Sequence, residues 1–250
     1  MRALFVVLLG GCALAHERPN DASATHDAIT VPMSCAAPFD CASASAARPR
    51  LWYPFDHDLA NRGSEPGHDG VGEAHFTTWS RGGALDLGDG ASITLSGTAG
   101  VVASSPALTI SFWSQASGIG RTLLSCRARD HGIEIYRGPD MGVTACAGAS
   151  TPSRAAWGGC SSGARCTEWT HVVVRWRGAG NAPELAVDGA GFVPLEHDGR
   201  IAAPPADLFA AIDDVAIGGA DDGELQLADL RVYDVALDDD VVWATTSCAL

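Results

Sequence analysis

The string with the clearest catalytic form in this chain is Gly159-Cys160-Ser161-Ser162-Gly163, which fits G-x-S-x-G, the turn that presents a nucleophilic serine to an acyl substrate. Such an elbow works only where a strand turns sharply into a helix, with oxyanion donors, a His and an acid at hand. Here Pro152-Ser153-Arg154-Ala155-Ala156 precedes the string and no helical pattern follows it, so it reads as a Gly/Ser loop closed by a disulfide. The chain has 8 His, none placed by sequence beside a nucleophile, and no catalytic residue is assigned. Asp56-His57-Asp58 is not an EF-hand, because Leu59-Ala60 stand where the next oxygen ligand and the turn glycine belong. Sugar binding asks for something else: an aromatic face left in solvent, with polar groups beside it. Trp157 is the first candidate, because it lies in the long connection between Cys146 and Trp169 and long connections usually carry a role. Trp79 beside Arg81, in the loop before Ala84, is the second. Both could instead cap a hydrophobic core from a loop, given how readily Trp buries. Trp113, Trp169 and Trp176 fall within strand patterns and read as packing rather than as ligand platforms.

The amino terminus carries an address. Met1-Arg2 and the apolar run from Ala3 to Leu9 have the charged and hydrophobic regions of a secretion signal, and the run falls far short of the ~20 residues a permanent helical span needs. Leu9-Gly10-Gly11-Cys12 resembles the lipobox of bacterial lipoproteins, which predicts lipidation of Cys12 and an extracytoplasmic protein anchored at the outer membrane. The alternative is ordinary cleavage after Ala13-Leu14-Ala15, which would release a secreted protein. In either case an oxidising compartment makes disulfides the default for Cys35, Cys41, Cys126, Cys146, Cys160, Cys166 and Cys248. Cys160 with Cys166 would close a small loop, Cys126 with Cys146 would bridge neighbouring strands, and Cys35 or Cys41 would reach Cys248, with one thiol left over. No C-x-x-C spacing occurs, which argues against zinc.

The elements that must position these residues are strands. The chain has 250 residues, of which 46% are hydrophobic and 18% charged, enough for a sizeable core, so wholesale disorder is excluded. Its 29 Gly and 13 Pro favour many short segments joined by turns over long helices. The net charge of −14 disfavours nucleic acid and anionic membrane surfaces as partners, leaving a lipid anchor as the membrane link. Residues 1–12 are read as the signal, 13–50 as an Ala/Ser/Pro-rich tether and 51–250 as the folded domain. Leu108, Ile110 and Phe112 alternate with Thr109, Ser111 and Trp113, and Val172, Val174 and Trp176 with His171 and Arg175, the period of two that sorts side chains onto opposite faces of a sheet. Further strands are predicted at 51–55, 84–87, 92–95, 122–126, 133–136, 143–147, 184–187, 212–217 and 225–233, with turns such as Asp188-Gly189 between them. One short helix is expected over 237–245, with Asp238 as its cap. The fold class is therefore all-β, an antiparallel sandwich with little helix.

Five phrases occur in order: Leu51-Trp52-Tyr53-Pro54-Phe55-Asp56, with Asn61 and Gly67-His68-Asp69-Gly70 after it; Gly83-Ala84-Leu85-Asp86-Leu87-Gly88; Leu108-Thr109-Ile110-Ser111-Phe112-Trp113; Trp169-Thr170-His171-Val172-Val173-Val174 leading to Leu185-Ala186-Val187-Asp188-Gly189; and Leu227-Ala228-Asp229-Leu230-Arg231-Val232-Tyr233. Together they resemble the laminin-G-like, concanavalin A-like jelly-roll family. The resemblance implies a structural calcium ion, with Asp56 and Asp229 at ligand positions and Asp58 beside the first. The same superfold hosts glycanases whose signature is Glu-x-Asp-x-x-Glu on one strand, with two carboxyls facing a glycosidic bond. Only Glu196-His197-Asp198 begins that pattern, Ile201 breaks it, and the segment reads as a loop, so no enzyme is expected. The expected function is a non-catalytic binding or adhesion module for carbohydrate. The alternatives are a module that binds an envelope protein, and a glycoside hydrolase with an acid pair drawn from separate strands.

Overall fold

A computed structural model describes residues 47–88, 91–116, 121–128, 131–137, 140–146, 153–159, 168–197, 200–201, 212, 214–219 and 224–247. Cys12, Cys35, Cys41, Cys160, Cys166, Cys248 and the serines of the G-x-S-x-G string lie outside these residues, as does the segment 1–46, read above as a signal and most of a tether. The strands, in chain order, are β1 (Leu51–Tyr53), β2 (Gly70–Val71), β3 (His75–Trp79), β4 (Gly82–Leu87), β5 (Ser92–Leu95), β6 (Leu108–Ala116), β7 (Arg121–Ala128), β8 (His131–Arg137), β9 (Asp140–Cys146), β10 (Ser153–Gly159), β11 (Thr170–Trp176), β12 (Glu184–Val187), β13 (Val193–Pro194), β14 (Glu196–His197), β15 (Arg200–Ile201), β16 (Asp214–Gly218) and β17 (Leu225–Tyr233). Among the described residues two short helices accompany them, α1 (Thr98–Ser104) and α2 (Asp239–Ser247).

The strands form two antiparallel sheets. The first has the order β13-β12-β11-β6-β17-β4-β3, with β1 also on β17, and the second β15-β14-β10-β9-β8-β7-β16-β5-β2. Alternation does the sorting: Ile110, Phe112, Val172, Val174, Leu185, Leu225, Leu227, Leu230 and Val232 of the first sheet meet Ile93, Leu95, Leu124, Ile133, Ile135, Val215 and Ile217 of the second in one buried cluster. The sandwich expected from the sequence is thus the fold observed.

Strand β17 holds the joint of the first sheet. Its first part, Leu225 to Leu227, pairs with β4, and its last part, Leu230 to Val232, pairs with β1 on the same side. Between them the register to β6 shifts, from Ala228 opposite Trp113 to Arg231 opposite Ser111. The extra residue is accommodated by Asp229 at φ 52, a left-handed conformation that Asp tolerates better than most residues. The bulge also resets the phase: Leu225 and Leu227 face the core before it and Leu230 and Val232 after it, so Arg231 is turned outward.

The first sheet is covered on its inner face by the core and on part of its outer face by α2. On its outer face Val173, Ala186 and Tyr233 pack beneath Leu237 and Val242, bringing α2 down over that half. The Asp238 carbonyl accepts the Val241 and Val242 N–H groups, which places Asp238 at the helix N-cap as expected. Arg175 is buried there, donating to Glu184 (2.7 Å), Asp239 (2.6 Å) and the Leu237 carbonyl (2.8 Å), with its guanidinium 3.6 Å from the centre of the Phe192 ring. Gly189, at φ 71 in the predicted Asp188-Gly189 turn, leaves room for Trp243 of α2, whose ring a Cβ would meet at 2.1 Å. The sequence pattern expected His171 and Arg175 simply to face away from the core; both are in fact 2% exposed, because a helix and other side chains lie over them.

Several expectations are corrected. The elements β2, β3, β10, β13, β14, β15 and α1 were not anticipated, being two-residue bridges, a short helix, or segments of small and polar residues whose pairing partners lie far away in sequence. Glu196-His197 is strand β14 rather than loop, pairing with β10 and β15. Residues 47–50, assigned to the tether, are docked on the domain: the Arg50 N–H donates to the Val232 carbonyl at 2.8 Å, its guanidinium pairs with Glu65 at 2.6 Å and Asp234 at 3.3 Å, and Ala47 packs under α2. Cys126 and Cys146 are not on neighbouring strands, for β8 stands between β7 and β9. Two strand spacings are ~10 Å, wider than the ~7 Å between Cα atoms that a disulfide commonly spans.

Candidate functional site

The half of the outer face that α2 leaves open carries a ladder of rings. Trp113 on β6 stands directly opposite His171 on β11, and their rings lie 4.9 Å apart. Trp79, the last residue of β3, reaches Trp113 at 5.3 Å, and Trp169, just before β11, stacks on Trp79 at 4.6 Å with the planes tilted by 36°. Small residues make the reach possible: Ala228 lies opposite Trp113 on β17, and the β3–β4 hairpin closes through Gly82 and Gly83. A Cβ on Gly83 would meet the Phe55 carbonyl oxygen at 2.4 Å, so only glycine lets the 55–56 segment lie against β4 at this point. The Asp56 carboxylate then accepts the Gly83 N–H at 2.7 Å and fixes the hairpin base. Arg81, exposed in the hairpin turn, lays its guanidinium 4.5 Å from the centre of the Trp113 ring and 5.9 Å from that of Trp79.

Next to the ladder is a second group built on the β17 bulge. Asp229 accepts the Trp52 indole N–H at 2.8 Å and the Arg231 Nε–H at 2.9 Å, and pairs with the far end of Arg231 at 2.8 Å. Burial works against the charge on Arg231, but Asp229 and Tyr233 outweigh it and hold the guanidinium firmly protonated. Trp52 is clamped along its backbone by Asn61, whose side-chain oxygen accepts the Trp52 N–H at 2.9 Å, while the Trp52 carbonyl accepts the Arg62 N–H at 2.7 Å, sealing the edge of β1. His171 lies beneath both groups. Burial, reinforced by Arg231 and Arg81, pushes its pKa down to about 3, so its imidazole is neutral across the physiological range. Deeper in the domain, burial raises the Tyr53 hydroxyl, which donates to the His68 carbonyl at 2.5 Å and stays protonated.

The residues singled out from sequence are thus divided. Trp79 and Arg81 are brought together in one cluster, on a hairpin rather than in the loop expected. Trp157 is not in a loop: it lies on β10 of the other sheet, opposite Met141. Trp113 and Trp169 do pack on the sheet surface, while Trp176 is core at 4% exposed, but the same packing makes Trp113 and Trp169 part of the ladder. The three carboxylates offered for calcium each have protein partners. Asp229 is held by Arg231 and Trp52, Asp58 by Arg62 at 2.6 Å and the Ala60 N–H at 3.1 Å, and Asp56 by the Gly83 N–H. Two of the three face a guanidinium, which repels a cation, and among the described residues no three His, Cys, Asp or Glu side chains cluster as candidate metal ligands.

Fold and surface together define a two-sheet antiparallel sandwich with an aromatic and arginine cluster on one outer face. No protein-family model matches the chain, and neither does any curated protein. Solved structures are similar in fold. One comes from botulinum neurotoxin type C, whose cell entry is dependent upon interaction with two ganglioside molecules (12% identity, TM-score 0.63, covering 84% of this chain and 53% of that one). Another is the binding domain of botulinum neurotoxin DC in complex with SialylT (11%, TM-score 0.62, 83% and 52%), and a third the serotype D ligand-binding domain in complex with N-acetylneuraminic acid (10%, TM-score 0.60, 82% and 52%). The chain spans about half the length of these neighbours, and at such identity the likeness is one of fold.

Proposed function

We propose that this chain is a non-catalytic binding module that takes carbohydrate on the open half of the outer face of its first sheet. The observation that carries this reading is the ring ladder: Trp113, Trp79 and Trp169 are each partly exposed, Trp79 in tilted ring contact with the other two, and an arginine accompanies them. Rigid indoles offer a sugar its preferred flat apolar partner at little conformational cost, and a guanidinium supplies donors for its oxygens. The structural neighbours solved with sialylated ligands support a binding role for this architecture, although fold by itself carries no function. The test is a glycan array probed with the purified chain and with Trp79→Ala. Binding of a defined glycan set, weakened by about tenfold in the variant, is the expected result, corresponding to ~1.4 kcal/mol of lost stacking. Absence of any glycan binding, or binding that Trp79→Ala leaves unchanged, overturns the proposal.

Export and anchoring complete the reading: the lipobox-like Leu9-Gly10-Gly11-Cys12 would place an acyl chain at Cys12 and the domain beyond it. Labelling with a fatty-acid analogue, lost in Cys12→Ser, is expected; labelling absent from the parent chain would favour cleavage after Ala15.

A further inference from the structure

The rings of the ladder are piled against one another. Trp79 lies 5.3 Å from Trp113 with the planes 48° apart and 4.6 Å from Trp169 with the planes 36° apart, and Trp113 rests on His171 at 4.9 Å and 32°. A sugar ring held between two indoles needs them about 7–8 Å apart, one contact distance of about 3.5–4 Å on either side. Neither gap in the pile admits one. The indoles therefore do not lie side by side as a platform along which a chain of sugars could extend.

The ring faces are then taken up one by one. Trp113 meets His171, Trp79 and the Arg81 guanidinium, which lies 4.5 Å from its ring centre. Trp79 meets Trp113 and Trp169, with Arg81 at 5.9 Å. Trp169 is partly exposed and has ring contact with Trp79 alone among the described residues, so the pile ends there. It stands just ahead of β11, whose first residue, Thr170, pairs with Ser114 of β6. Anchored by the strand that follows and backed by Trp79, the Trp169 ring is held in place before any ligand arrives, which lowers the entropy lost on binding.

Resting on the carbohydrate reading above, we infer that the site takes a single sugar ring, stacked on the face of Trp169 turned away from Trp79. Trp79 and Trp113 act through Trp169, as its backing, and make no stacking subsites of their own. Glycans are then recognised by individual residues, as short or branched glycans present them, and added length in a linear chain brings no added stacking. A platform of side-by-side indoles would behave in the opposite way, gaining about tenfold in affinity for each further ring stacked. The experiment measures, by calorimetry, binding of the full chain to linear oligomers of β-1,4-linked glucose, α-1,4-linked glucose, β-1,4-linked N-acetylglucosamine and β-1,4-linked mannose, each from two to six rings long. Parent chain, Trp169→Ala and Trp169→Phe are compared, with far-UV circular dichroism and thermal melting confirming that each variant is folded.

In a series that binds, affinity is expected to rise by no more than about threefold from two rings to six, the statistical gain from offering three times as many rings to one subsite. Trp169→Ala should weaken every length alike, by about tenfold, and Trp169→Phe, which keeps a smaller ring at the end of the pile, by less. Should Trp169→Ala prove unstable, the Phe variant carries the comparison. A larger gain with length overturns the single-ring site in favour of several stacking subsites, and binding left unchanged by substitution of Trp169 overturns its assignment to that residue; both results leave the carbohydrate reading standing. Absence of binding in all four series overturns the inference, and the carbohydrate reading falls with it only if the glycan array is blank as well.

Discussion

The buried His171 makes the stability of this domain depend on pH in a way that can be isolated. In the folded chain its pKa is pushed down to about 3 by burial, with Arg231 and Arg81 adding to the effect; in the unfolded chain it returns to its ordinary 6.5. Because the folded value is the lower one, the unfolded chain takes up the proton first as pH falls. The contribution is fully present above about pH 6.5 and is lost progressively as pH drops towards the folded value. One proton bound by the unfolded state alone costs about 1.4 kcal/mol of stability per pH unit, so between about pH 8 and about pH 4.5 this group removes about 3 kcal/mol. The perturbation is His171→Gln, a neutral side chain that keeps hydrogen-bonding capacity and cannot titrate. It will cost stability at every pH, because Trp113 loses its ring partner, but the pH-dependent part should vanish. The assay is urea unfolding of both proteins at a series of pH values, taking the difference in unfolding free energy at each, so that the carboxylates common to both cancel. The difference should be constant above about pH 7 and shrink by about 1.4 kcal/mol per unit below about pH 6. Parallel stability curves down to about pH 4.5 would mean that His171 charges in the folded state, and the picture of a neutral imidazole beneath the indoles would be wrong.

Three further outcomes follow from the packing. Arg175→Ala removes the side chain that links Glu184, Asp239 and the Leu237 carbonyl, and should cost ~2–3 kcal/mol in urea unfolding, the lower end for a buried pair because Asp239 is 58% exposed. A loss below about 0.5 kcal/mol would show that α2 is held by its apolar contacts alone. Gly189→Ala both strains a left-handed backbone and places a methyl 2.1 Å from the Trp243 ring, so the melting temperature should fall and Trp fluorescence change as α2 is displaced. An unaltered melt would contradict the packing of Trp243 on that turn. Chelation with EDTA should leave the melting temperature unchanged, since Asp229 and Asp58 are already satisfied by arginines; a fall reversed by added calcium would restore the ion expected from the family resemblance.

Much of the scaffold was legible because its signals are local. Alternation in 108–113 and 172–176 marked the central strands, Asp188-Gly189 the turn and Asp238 the helix start, and each is found where it was read. One further signal was present and missed: in Leu225-Gln226-Leu227-Ala228-Asp229-Leu230-Arg231-Val232 the apolar residues change phase after Leu227, which is the mark of a bulge. The edge strand β3 escaped because His75-Phe76-Thr77-Thr78-Trp79 buries little and owes its form to pairing with β4.

The candidate site divides along the same line. That Trp79 and Arg81 stand two residues apart is a property of the chain, and it was enough to nominate them. That Trp113 and Trp169 belong with them is not written locally: the rings come from β3, β6 and the start of β11, and their distances follow from a sheet order in which strands distant in sequence become neighbours. Trp157 shows the converse, since a promising residue in a long connection was carried onto the other sheet by its pairing with β9. Residue types and spacing determined that a sandwich would form and which side chains would face away from its core, because the period of two acts over a few residues. Only the tertiary structure decided which outward-facing rings meet and which half of the face α2 covers, because those outcomes depend on strand order and the β17 bulge, which are settled by contacts between distant parts of the chain.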